Sequence, residues 1–157
     1  MVTIKKCDLL KSDADFICHQ VNCMGVMGSG IAKSIALEWP EVKSSYVRLC
    51  KLLRPEELLG RHQRVEVPSG QTIVNIFGQL NYGNDGRVYT DYYALRKAFG
   101  CINNIFRGET IAMPWKIGCG LGGCDWATVE SLIVKSLGNC NVKLYMLPSE
   151  ERRVKRT

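Results

Sequence analysis

The sequence predicts an α/β layered domain with a largely parallel central sheet, on three observations. Strand-like and helix-like patterns alternate, two late strand-like runs are apolar almost throughout, and glycine or proline stands at many of the junctions between them. Period-two alternation and β-branched residues mark strands near residues 2–6, 15–21, 62–67 and 71–78. The runs 109–113 and 141–147 are nearly continuous in apolar residues, as strands covered on both faces are. Helical spacing occupies residues 30–39, 40–53, 91–106 and 125–137, with Val129, Ile133 and Leu137 on one face. Pro40 suits a first helical turn, Pro55 closes a helix, Asn84-Asp85-Gly86 makes a turn and Gly138 ends the last helix. No internal repeat or linker interrupts this order, so residues 1–149 are expected to form one domain and 150–157 a basic tail.

Composition narrows the function. At 157 residues, 46% hydrophobic and 23% charged, the chain suits a single core. Its apolar runs fall far short of the roughly 20 residues of a membrane span. The first residues lack the blocks of a secretory signal, so a cytoplasmic location without a membrane partner is expected. Eight cysteines occur, but no Cys-x-x-Cys, and His19 and His62 complete no ligand set with them. Neither a metal nor a cofactor is therefore expected. The thiols are expected to be reduced and mostly buried, as small hydrophobes. The formal charge of +6 suggests an anionic partner, yet four bases and one acid fall within 151–156. That concentration reads as a solvated tail, so nucleic acid is not expected as a partner.

Chemistry is expected where strand ends meet helix starts, because ligands of open α/β sheets bind beyond the carboxyl ends of the strands. Two such junctions are glycine-rich. The first runs Asn22-Cys23-Met24-Gly25-Val26-Met27-Gly28-Ser29-Gly30-Ile31-Ala32, and the second runs Pro114-Trp115-Lys116-Ile117-Gly118-Cys119-Gly120-Leu121-Gly122-Gly123-Cys124-Asp125. Glycine lets the main chain approach a ligand closely, and free N–H groups at a helix start attract phosphate. The pair suggests a phosphate-bearing ligand between two loops. Ordinary turn chemistry is the competing reading, with Ser29 and Asp125 as helix caps. Ala32 stands where a P-loop needs glycine, and Lys33 where a dinucleotide fingerprint needs its third. Ser29 lacks the spacing of a nucleophile elbow.

At these loops the sequence resembles the macrodomain family, whose members bind ADP-ribose. The resemblance rests on Asp8-Leu9, His19-Gln20-Val21-Asn22-Cys23, Gly28-Ser29-Gly30-Ile31-Ala32, Pro40 through Tyr46, Leu58-Leu59-Gly60 and Ile117-Gly118-Cys119-Gly120-Leu121. It is strongest to the branch that includes ADP-ribosyl-glutamate hydrolases and ADP-ribose 1″-phosphate phosphatases. It implies a three-layer α/β/α domain with a mixed sheet, in agreement with the pattern above. It implies that Asp8 accepts the adenine amino group with Leu9 beside the ring. Asn22, Gly28, Ser29, Gly30 and Ile31 would face the distal ribose and one phosphate. The run Gly118, Cys119, Gly120, Leu121, Gly122 and Gly123 would wrap the diphosphate, and Tyr145 would stack on adenine. Asp8 reads equally as a turn residue or cap, Asn22 as a turn residue and Tyr145 as core.

The resemblance also implies hydrolysis of an ADP-ribose derivative at the distal ribose: a 1″-phosphate, an ester-linked protein adduct or an acyl ester. Two departures bear on it. The hydrolase lysine falls at about Gln79 here, and the aspartate after the second loop at Gly122. His19 and Asp125 are the candidate catalytic groups, each with a structural alternative as a packing histidine and a helix cap. Lys116 and Asp91 have weaker claims, as a shaper of potential and a helix-start acid. The alternative functions are a reader of ADP-ribosylated proteins without turnover and, third, a nucleic-acid-binding domain.

Overall fold

The computed structural model describes residues 1–156. Six strands form one sheet: β1 (Val2–Lys5), β2 (Phe16–Asn22), β3 (His62–Glu66), β4 (Thr72–Gln79), β5 (Thr110–Pro114) and β6 (Asn141–Tyr145). Their order is β1-β6-β5-β2-β4-β3, and all neighbours pair in parallel except β3 with β4. The helices are α1 (Gly30–Glu38), α2 (Pro40–Leu52), α3 (Pro55–Leu58), α4 (Tyr92–Ile105), α5 (Trp126–Ser136) and α6 (Pro148–Lys155). A short 3-10 turn, Leu9–Lys11, follows β1. The expected α/β/α layering with a mixed, mostly parallel sheet is what the chain adopts.

Alternate side chains of a strand point to opposite faces, and here each set meets its own helical layer. On one face Cys18, Val74, Ile76, Met113 and Leu144 pack against Leu95, Phe99 and Ile102 of α4 and Val129 and Ile133 of α5. On the other, Ile17, Val21, Ile73 and Phe77 meet Ile35 of α1, Val42 and Tyr46 of α2 and Leu58 of α3. Both faces of the central strands are thus apolar, as the continuous runs required.

One proline reading needs correction. Pro55 does not merely close α2; it sits in the first turn of α3, where its missing N–H is not needed. Pro148 does the same for α6. The expected boundary after residue 149 therefore falls inside a helix, although Thr157, the end of the expected tail, lies outside the described residues. Among those residues no helix is long and apolar enough to cross a membrane.

Phe99 is fully buried at the centre of the α4 layer. Phe99→Ala is expected to destabilise the fold by about 3–5 kcal/mol, measured by urea unfolding. A loss under about 1 kcal/mol would mean that the layer repacks freely.

Candidate functional site

A cavity of about 650 Å³ opens across the carboxyl ends of β2, β4 and β5, a volume suited to a nucleotide-sized ligand. The end of β2, the loop after it and the start of α1 supply Asn22, Val26, Gly28, Ser29, Gly30 and Ile31, and the β5–α5 loop supplies Gly118, Gly120, Leu121 and Gly122. The N–H groups of Gly28, Ser29, Gly30 and Ile31 meet no protein acceptor among the described residues. Nor do those of Gly118, Gly120, Leu121 and Gly122. The first set lies at the start of the nine-residue α1, so the helix dipole reinforces it. Two rows of unpaired main-chain donors on the wall of one cavity are suited to an anion.

Buried side chains hold both loops. In the first, the Tyr46 hydroxyl shares its proton between the main-chain oxygen of Asn22 at 2.7 Å and its Oδ1 at 2.8 Å, and accepts from Gly25 N at 3.2 Å. Asn22 Oδ1 also accepts from Met24 N, and its Nδ2 donates to Val26 O. Asn22 therefore shapes the loop from within. In the second loop, Thr90 Oγ1 donates to Gly118 O at 2.7 Å, and Gly122 O accepts from the amides of Tyr89 and Thr90. Gln20 Nε2 ties Thr90 Oγ1 to Gln79 Oε1, and Gln79 Nε2 donates to Asn81 O. Gly118 has φ +77°, and a Cβ there would stand 2.8 Å from Gln20 Oε1. Only glycine fits that position.

Several expected site residues lie elsewhere. His19 is fully buried and off the cavity wall, sharing parity along β2 with Ile17 and Val21. Its Nε2 meets Asn75 Oδ1 at 2.5 Å; Asn75 Nδ2 donates to Gln63 Oε1, and Gln63 Nε2 to Ser45 O. That chain, anchored on a main-chain carbonyl, makes Nε2 the protonated nitrogen and leaves Nδ1 without a partner. Burial lowers the His19 pKa to about 4, against a smaller opposing pull from Asn75. It is a neutral packing histidine, out of reach for proton transfer in the cavity. Asp125 is the cap of α5, accepting from Thr128 N and Thr128 Oγ1, and is also off the wall.

The adenine assignments fare similarly. Asp8 Oδ1 caps the 3-10 turn by accepting from Leu10 N, and Leu9 is buried in the core. Tyr145 is buried too, accepting from Ser12 Oγ at 2.9 Å. None of the three lines the cavity. Trp115 does, at the end of β5, with Lys116 beside it at φ +59° and Lys116 Nζ 4.6 Å from the ring centre.

Cys119 and Gly123 are also off the wall. Cys119 is disulfide-bonded to Cys124, which corrects the expectation of reduced thiols throughout. The loop doubles back through Cys124 N donating to Gly118 O, bringing the two Cα atoms to 4.3 Å despite their spacing of five. The other cysteines are free, and burial pushes Cys23 up to about 12.

Sequence reading missed Gln20, Tyr82, Gly83, Asn84, Trp115 and Glu150 as wall residues. The β4–α4 connection had no motif to announce it. The wall's titratable side chains, among the described residues, are Tyr82, Lys116 and Glu150.

Comparison with known proteins agrees with this geometry. No family model matches the chain. It is 30% identical over 152 residues to the DNA ADP-ribosyl glycohydrolase of Mycobacterium tuberculosis, covering 87% of this chain and 38% of that protein. The Thermus aquaticus protein of the same name is 26% identical over 140 residues. The chain thus spans about 38% of the length of these curated relatives. Among solved structures, the macrodomain of Mycobacterium tuberculosis DarG superposes with a TM-score of 0.79 at 27% identity, covering 92% of this chain and 97% of that one. Thermosipho africanus DarTG in complex with ADP-ribose shares the fold, with a TM-score of 0.78 at 22% identity over 94% of this chain and 41% of that one. The mixed six-stranded sheet flanked by helices, with two glycine loops at its carboxyl edge, is the fold of the solved macrodomain on which it superposes. The chain belongs to the macrodomain family.

Two predictions follow from the buried groups. His19 has a folded pKa below its unfolded value of about 6.5, so the unfolded chain takes up a proton the native state refuses as pH falls. Stability is expected to be unaffected by His19 above that value and to fall by up to roughly 3 kcal/mol towards pH 4, with half-buried His62 shifted in the same direction. Urea midpoints across this range test it, and His19→Asn should flatten the curve; an unchanged slope would refute the assignment. Tyr46→Phe is expected to cost about 1–3 kcal/mol and to speed amide exchange in residues 23–26 while sparing residues 118–122. Equal acceleration in both loops would show that they are not held separately.

Proposed function

We propose that the cavity binds ADP-ribose and that the protein removes ADP-ribosyl groups by hydrolysis at the distal ribose. The observation that carries the reading is the pair of unpartnered amide rows on the cavity wall, suited to the two phosphates. Adenosine then lies toward Trp115 and Glu150, and the distal ribose toward Gln79, Tyr82 and Asn84. In hydrolysis a water oxygen bonds the reacting centre of the ADP-ribosyl linkage, the bond to the departing group breaks, and that group leaves with a proton. With His19 and Asp125 outside the cavity, the rate enhancement rests on placement of ribose and water.

The relatives' name supports a nucleic-acid-linked ADP-ribosyl group as substrate, beside the 1″-phosphate, protein ester and acyl ester that the sequence suggests. A second reading, a reader without turnover, is favoured by one observation. The β4 end of the cavity presents the amides of Gln20, Gln79 and Asn84 where the related hydrolases use a lysine, and Gly122 stands in place of their aspartate.

Calorimetry is expected to give a stoichiometry of one for ADP-ribose, weaker binding for ADP, and none for Gly118→Ala, whose Cβ would collide with Gln20. No heat from ADP-ribose would refute the site. Incubation with ADP-ribosylated DNA, ADP-ribose 1″-phosphate and glutamate-linked ADP-ribose then separates the readings. Release from at least one supports hydrolysis, whereas binding without product from any supports the reader.

A further inference from the structure

The basic end of the chain is more ordered than its composition suggested. In α6, Glu151 Oε1 pairs with Lys6 Nζ at 2.6 Å, pinning the helix to the segment after β1, and with Lys155 Nζ at 2.8 Å. Those pairs consume the one acid within residues 151–156. Arg152, Arg153 and Arg156 are exposed and, among the described residues, paired with no carboxylate. Together with Ser149 they alone line a second, shallow recess of about 320 Å³. Its neighbour on the same helix, Glu150, lies on the wall of the main cavity, so recess and cavity share one helix.

Three exposed guanidiniums around one recess offer an anion several charge-assisted hydrogen bonds at once. Planar guanidinium forks with a hydroxyl beside them match the oxygens of a phosphate better than a carboxylate-poor solvent face requires. We propose that Ser149, Arg152, Arg153 and Arg156 form a phosphodiester-binding site that holds the backbone of a single-stranded nucleic acid. The site is separate from the ADP-ribose cavity and does not depend on the hydrolytic reading.

The test uses the full chain and a fluorescein-labelled single-stranded oligonucleotide that carries no ADP-ribose, with polarisation read across a salt series. Against wild type, the triple variant R152A/R153A/R156A is expected to bind at least about tenfold more weakly at low salt. The slope of log Kd against log salt should fall by about 2, as expected for three lost single-strand phosphate contacts. The triple Arg→Lys variant should keep most of the slope. Unchanged ADP-ribose heats in both variants would show that the fold and cavity are intact. Wild-type affinity and slope in the alanine variant would overturn the proposal. So would tighter arginine-dependent binding to phosphatidylserine vesicles than to the oligonucleotide. Arginine-dependent oligonucleotide binding by a wild-type protein that gives no heat with ADP-ribose would sink the cavity reading and leave this one standing.

Discussion

Everything at the cavity depends on main-chain carbonyls being turned away from it, and buried hydroxyls and amides do the turning. Tyr46 holds the carbonyl of Asn22, while Thr90 holds that of Gly118 and lends its own amide to Gly122. The intervening N–H groups, on residues of the cavity wall, are left without protein acceptors among the described residues. The Tyr46 and Thr90 hydroxyls each have their partners supplied, the condition under which buried polar groups stabilise a unique geometry, whereas Gln20 Oε1 is buried without one. The Gln20 amide links one loop's strand to the other loop's clamp, so the two rims are set relative to each other.

This arrangement gives the site an unusual electrostatic character. The groups on its wall suited to an anion are peptide N–H groups, the start of α1 and Lys116, and Glu150 is the one carboxylate beside them. The histidine nearest in sequence is kept neutral one layer away, bound through Asn75 and Gln63 to Ser45. The cavity's selectivity rests on geometry.

The sheet and the four longer helices were legible because the period of apolar residues changes visibly between two and three and a half along the chain. The glycine loops were legible for the same reason, as breaks in that pattern at the ends of β2 and β5. What stayed hidden was set by contacts distant in sequence. The path of residues 79–91, which brings Tyr82 and Asn84 to the wall, is fixed by bonds from Tyr89 and Thr90 to Gly122. Cys119 meets Cys124 only because the loop reverses. His19 and Tyr145 were assigned from the family resemblance, whereas strand parity puts both on the side of the sheet that faces α1 and α2. Pro55 read as a stop, yet in a first turn the same missing N–H starts a helix, as Pro148 does for α6.

The central claim is that the two amide rows act together on one bound diphosphate. Residue-resolved hydrogen exchange with and without saturating ADP-ribose addresses it directly. The account predicts that the amides of Gly28–Ile31 and of Gly118, Gly120, Leu121 and Gly122 slow together, while those of α3 and β3 do not change. Slowing in only one loop, or in neither while ADP-ribose still binds, would contradict it.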